Sequence, residues 1–162
     1  MTITIELNRE CIHQLDLSPA RTTVEKLLEQ GNIAAGEQQI CFEIDYPRDP
    51  QDPRELSEVP EIRLWFLRAD ARYPWFPFLL DWKAGELARY VAMLVPHQFH
   101  RTEGIQYNPE ALEIFLMGKI FILADWLPQQ GISSISRLKS MSAMLGYDLD
   151  EDLFELIASS ST

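Results

Sequence analysis

From Thr2 to Leu7 apolar and polar residues alternate, the period-two pattern of a short strand with one buried face. The pattern returns more clearly over Gln39 to Tyr46, where Ile40, Phe42, Ile44 and Tyr46 face one way and Cys41, Glu43 and Asp45 the other. Between the two strands Ser18-Pro19 opens a helix, a capping hydroxyl followed by proline at the first helical position, and Gly31 stops it. Residues 47–60 hold four prolines, with Asp-Pro steps at 49 and 52, a composition that continues neither a ladder nor a helix and predicts an exposed acidic loop. From Pro60 onward Ile62, Trp65, Phe66, Ala69 and Tyr73 keep helical spacing, which is preferred here to the strand that Ile62, Leu64 and Phe66 would also suit.

Tyr73-Pro74-Trp75-Phe76-Pro77-Phe78 carries two prolines three apart, which remove backbone donors and push the preceding residues out of the helical region, so no regular structure is predicted. A helix resumes near Asp81 and ends before Pro96, and a loop of about a dozen residues follows. Asn108-Pro109-Glu110 then opens the longest helix, to about Leu127, with the cap, proline and acid of a helix N-terminus. It is apolar nearly all round from Ile114 to Leu123, as a helix at the centre of a domain is. Ser133 or Ser134 starts a further helix to Leu145, stopped by Gly146, and Asp148 to about Ser159 forms the last. The order predicts a single α+β domain over residues 1–162: a small N-terminal sheet, about five helices, and one central buried helix near 109–127.

A chain of 162 residues buries enough surface to stand without disulfides or metal. Cys11 and Cys41, with no secretory signal ahead of them, read as free thiols in a reducing compartment. Lys119 and Asp125 interrupt the longest apolar run, Ile114 to Leu127, so no membrane insertion is predicted. The 25 acidic and 14 basic residues leave a net charge of -11, which makes nonspecific binding to nucleic acid or an anionic membrane unfavourable. That charge is uneven. Residues 37–61 carry eight acids against two bases, and residues 62–101 three acids against six bases. A second acidic cluster, Asp148, Asp150, Glu151, Asp152 and Glu155, contains no base. Either these acids are a solvated loop and a helix start favoured by its dipole, or they guide the protein onto a basic partner.

Little in the sequence points to catalysis. There are seven glycines and no Gly-rich phosphate loop. His97 and His100 form an HxxH after Pro96, and with Asp81 and Glu86 they are the only set that could converge on a metal. The alternative is that these histidines lie on or under a surface loop, and no cofactor is expected. The aromatic residues carry the stronger signal, since eight of the 17 fall between Trp65 and Tyr90. A proline-braced turn could present Trp75, Phe76, Phe78 and Trp82, with Arg72, as interface anchors, or those rings could fill a core. With Asp49 and Asp52 of the acidic loop they make the candidate partner surface, on the expectation that Pro47 to Glu58 and Tyr73 to Trp82 share one face.

Several strings within residues 40–127, about half the chain, resemble the chlororespiratory reduction six family. They include Tyr46-Pro47-Arg48, Asp52-Pro53-Arg54-Glu55-Leu56-Ser57-Glu58, Arg63-Leu64-Trp65-Phe66, Tyr73-Pro74-Trp75, Asp81-Trp82-Lys83-Ala84-Gly85-Glu86, Ala88-Arg89-Tyr90, Met93-Leu94-Val95-Pro96-His97-Gln98 and Tyr107-Asn108-Pro109-Glu110-Ala111-Leu112-Glu113. Residues 1–35 and 130–162 rest on periodicity alone. The resemblance, to a family of cyanobacteria and chloroplasts, implies a non-catalytic role in assembling the hydrophilic arm of the photosynthetic NAD(P)H dehydrogenase-like complex. It links that role to maturing or inserting the iron–sulphur subunit, so the expected partner is a protein subunit of a membrane-bound complex. It supplies no set of functional residues. Because the chain begins within a few residues of its first strand, with no Arg- and Ser-rich transit extension, a bacterial cytoplasmic protein is expected. The competing classes are a small metal-assisted hydrolase at His97 and His100 and an unrelated regulatory binding module; which subunit is bound and the oligomeric state stay open.

Overall fold

Strands β1 (Ile3–Asn8) and β2 (Ile40–Asp45) pair in parallel, with Ile5 opposite Phe42 and Leu7 opposite Ile44. Parallel neighbours need a crossover, supplied here by helices α1 (Arg9–His13), α2 (Ser18–Glu29) and α3 (Ile33–Gly36). These elements come from a computed structural model that describes residues 1–31 and 33–160. The chain forms two units, Met1–Asn108 and Pro109–Thr162.

In the first unit, the Asn8 side chain caps α1 by accepting the Cys11 N–H at 2.9 Å. The helix ends where the Asp16 N–H reaches the Cys11 carbonyl at 2.8 Å, which puts Leu15 at φ +53, a left-handed position that usually falls to glycine. Helix α2 starts where the sequence placed it, but the capping is shifted. Ser18 is its first residue, and the Asp16 carboxylate accepts both the Ser18 N–H and hydroxyl. Gly31 closes the segment at φ +59.

Helix α4 (Pro60–Arg72) confirms the helical reading of that stretch and buries Ile62, Trp65, Phe66 and Ala69. Helix α5 (Glu86–Leu94) begins later than Asp81, after a turn in which the Asp81 carboxylate accepts the Ala84 N–H and Gly85 takes φ +81. Phe42 from the sheet and Phe66 from α4 meet edge to face at 4.9 Å between centroids, and Trp65, Phe76 and Tyr90 complete the cluster. All five rings are buried.

Two segments expected to be irregular are regular. Phe76–Leu79 is a one-turn 3-10 helix, because Pro77 sits in its first turn, where proline's missing N–H costs nothing. The stretch after Pro96 is an antiparallel hairpin, β3 (His97–His100) with β4 (Gly104–Tyr107), with His97 opposite Tyr107 and Gly104 at φ +75 after the turn. In the acidic loop, Leu56–Glu58 forms a second 3-10 turn held by a capping box between Glu55 and Glu58.

The second unit holds α6 (Pro109–Gln129), α7 (Ile135–Met144) and α8 (Glu151–Ser160), with α7 and α8 each packed on α6. The long helix is present as expected, but its burial is one-sided: Leu112, Leu116, Ile120, Leu123 and Leu127 are buried, while Ile114 is 67% and Phe121 51% exposed. Two partner helices cannot cover a full apolar circumference. Gly146 at φ +88 ends α7, and α8 starts three residues after Asp148. No helix among the described residues is long and apolar enough to cross a membrane.

Candidate protein-binding surface

The aromatic turn separates under inspection of burial. Phe76, Phe78 and Trp82 are core side chains of the first unit, and the Trp82 indole N–H donates to the Pro77 carbonyl at 2.9 Å. A free-standing anchor must be accessible, so the presentation expected of these three rings is corrected to packing. Trp75 is half-buried, edge-on to the Tyr73 ring at 5.8 Å, and Arg72 is exposed with its guanidinium 5.5 Å from the Tyr73 ring centre.

The loop acids are tied into local turns. Asp49 is exposed and accepts the Gln51 N–H, while Asp52 accepts the Arg54 N–H and takes its guanidinium in a 2.7 Å ion pair. Those bonds from Arg54 hold the Asp52 carboxyl down at about 2. Arg48, Glu55 and Leu56 of the loop line a cleft with Phe42 and Tyr107, and Arg72 borders a depression with Leu15, Arg21 and Arg68.

The cleft, of about 690 Å³, runs along the free edge of β2. The Ile3 N–H donates to the Gln39 carbonyl at 2.6 Å, so the backbone groups of odd residues in β2 face β1 and those of Ile40, Phe42 and Ile44 face away. At Ile40 the Asp81 N–H supplies a donor to the carbonyl at 2.7 Å. At Phe42 two side chains of α5 stand in for a third strand: the Glu86 carboxylate accepts the Phe42 N–H at 3.0 Å and Arg89 donates to the Phe42 carbonyl at 2.8 Å. Glu86 and Arg89 also pair with each other at 3.3 Å. At Ile44 nothing takes this place among the described residues, and its N–H and C=O face the cleft over an apolar lining of Leu56, Ala88, Ala92 and Met93. An unpaired edge beside apolar surface can accept an extended segment as an added strand. Nothing in the sequence pattern marked this edge; the i,i+3 spacing of Glu86 and Arg89 on a helix was the one available signal.

A second recess of about 650 Å³ shares Glu55, Ser57, Ala92 and Tyr107 with the cleft and reaches His97. Arg63 donates from one nitrogen to the carbonyls of Ser57 and Ala92 and lies 3.2 Å from His97 Nδ1. Because guanidinium only donates, Nδ1 accepts and the ring is neutral there. Burial, and next the Arg63 charge, push the His97 pKa below 6.5. Burial, and then Glu55, push the Tyr107 hydroxyl up; it donates to the Ala88 carbonyl at 3.0 Å.

The four residues that the sequence offered as a possible metal set do not come together. His97 and His100 are three apart on a strand and so project to opposite faces, Asp81 is held by the turn before α5, and Glu86 is bonded to Phe42. Among the described residues no three His, Cys, Asp or Glu side chains gather as a metal site.

Fold and surface together define an α+β protein whose buried polar side chains brace backbone, beside a strand edge left open in a cleft. The chain belongs to the Chlororespiratory reduction 6 family, whose model matches residues 7–156. That match also takes in α1, α2, α7 and the start of α8, which the sequence strings left unassigned. No solved structure matches the chain.

Proposed function

We propose that the protein is an assembly factor that transiently binds the iron–sulphur subunit of the hydrophilic arm of the photosynthetic NAD(P)H dehydrogenase-like complex, in the cytoplasm of a photosynthetic bacterium. The observation that carries this reading is family membership over residues 7–156. A subunit awaiting its cluster and its neighbours exposes apolar surface and unpaired strands, and a factor that holds it must offer the complement. The Ile44 edge over Leu56, Ala88, Ala92 and Met93 offers that complement, a place for one extended client segment. Cys11 and Cys41 are free thiols on separate elements, and this reading assigns the protein no cluster of its own.

A deletion strain resolved on native gels, together with affinity capture of tagged protein, tests the proposal. The expected result is less intact complex in the deletion strain, and capture of the iron–sulphur subunit by a factor that is absent from the mature assembly. Normal complex levels in the deletion strain would refute it.

A further inference from the structure

Beyond Pro60, the exposed side chains of α4, Glu61, Leu64, Leu67, Arg68, Ala71 and Arg72, recur at intervals of three and four and so share one face, with the acid at its N-terminal end and both arginines at its C-terminal end. Leu64 is 51% and Leu67 48% exposed, two large apolar groups left in water beside two arginines. The C-terminal end of this face borders a depression of about 500 Å³ that is also lined by Arg21 of α2, with Leu15 and Asp16. Three arginines thus line one hollow in a chain of net charge -11. Among the described residues no carboxylate is in ion-pair range of Arg21, Arg68 or Arg72. Asp16, the acid in the hollow, has its carboxylate on the Ser18 N–H at 2.9 Å and hydroxyl at 2.6 Å, and these bonds, with a smaller pull from the Arg21 charge, lower its pKa.

A structural account covers part of this. Arginines in the last turn of a helix are favoured by its dipole. That does not explain a third arginine arriving from another helix, nor two exposed leucines on the same face, and Arg68 and Arg72 one turn apart repel each other. At the rim, Leu15 holds a bulky side chain in a left-handed conformation where glycine would be unstrained.

We infer that this face of α4, with Arg21, is a docking surface for an acidic segment of a protein partner that carries apolar residues among its carboxylates. Arg68 and Arg72, with no carboxylate in ion-pair range, set the sign of the partner by charge complementarity, and Leu64 and Leu67 supply the apolar contact that holds it. The assembly-factor reading names the partner, and the chemistry of the surface stands apart from that name.

The probe is an amphipathic peptide of glutamate and leucine, titrated into the isotope-labelled full-length chain by NMR, beside a counterpart with lysine for glutamate. The acidic peptide is expected to shift amides of residues 15–21 and 64–72, and the lysine peptide is not. Arg68→Glu with Arg72→Glu should weaken binding by about tenfold or more and flatten its salt dependence. Leu64→Ser with Leu67→Ser should weaken it at unchanged melting temperature, and Lys83→Glu with Arg101→Glu, the same charge change elsewhere, should not. Shifts at other residues, equal response to both peptides, or no effect of the α4 reversal would overturn the inference. So would sedimentation showing a dimer that the reversal dissociates, since the occupant would then be a second copy. The purified cluster-free iron–sulphur subunit is titrated in parallel: if the peptide binds at α4 and the subunit binds nowhere, the docking surface stands and the proposed client falls.

Discussion

Replacing Glu86 with alanine is expected to lower the free energy of unfolding by about 2–5 kcal/mol, the sum of three local losses. The Phe42 N–H, buried at the edge of β2, loses its acceptor, and an orphaned buried donor costs about 1–3 kcal/mol. Arg89 loses its ion-pair partner, but its side chain is 46% exposed against 5% for Glu86, so water screens the pair and this adds at most about 1 kcal/mol. The buried methylenes of Glu86 add about 1 kcal/mol more. Glu86→Gln keeps a carbonyl acceptor for Phe42 and gives up only the charge, so it should cost about 1 kcal/mol. Urea titrations followed by tryptophan fluorescence measure both, and amide exchange at Phe42 reports the same bond directly. If Glu86→Ala falls within about 0.5 kcal/mol of wild type, or the glutamine variant is equally damaged, the two side chains do not replace a strand.

Phe76→Ala should cost about 3–5 kcal/mol by urea denaturation and Trp75→Ala markedly less, because the first ring is buried and the second half-exposed; equal losses would return the turn to one environment. His97 resists protonation in the folded chain, so the unfolded chain binds the extra proton as pH falls below 6.5. Its contribution to stability is therefore present above pH 6.5 and lost below it; His97→Gln should flatten the melting temperature between pH 6.5 and 5, and an NMR titration midpoint for His97 at or above 6.5 would contradict this. Asp52 behaves as a depressed carboxylate: what it contributes is present above 3.8 and lost as pH falls toward about 2, so Asp52→Asn should make acid unfolding shallower over that window. Ala88→Trp, at an exposed position lining the cleft, should block client binding at unchanged melting temperature; retained binding would move the client segment away from the Ile44 edge.

The elements legible in the sequence were those whose burial alternates with a regular period. Ile40 and Phe42 on a strand, and Trp65, Phe66 and Ala69 on a helix, each repeat the spacing of their own backbone, and prolines at 19, 60 and 109 mark helix starts. The hairpin after Pro96 offers no such period: its strands are four residues each, with polar His97 and Gln98 in one and Gly104 and Gln106 in the other. Register and the stacking of His97 on Tyr107 at 5.1 Å hold it, and both are properties of pairing that neither strand shows alone. The aromatic turn stayed open between two readings for a different reason, because core and interface draw on the same rings and composition does not separate them. Helical phase does. Once Trp65, Phe66 and Ala69 define the buried side of α4, Leu64 and Leu67 fall outside it, and in α6 Ile114 and Phe121 fall outside the row of Leu112, Leu116, Ile120 and Leu123. An aromatic in step with the core reports on the fold, whereas an apolar side chain out of step with its own helix loses contacts the monomer could have made. In this chain α4 adds the second requirement, unpaired arginines on the same face, so the search for the partner's footprint starts at Leu64, Leu67, Arg68 and Arg72.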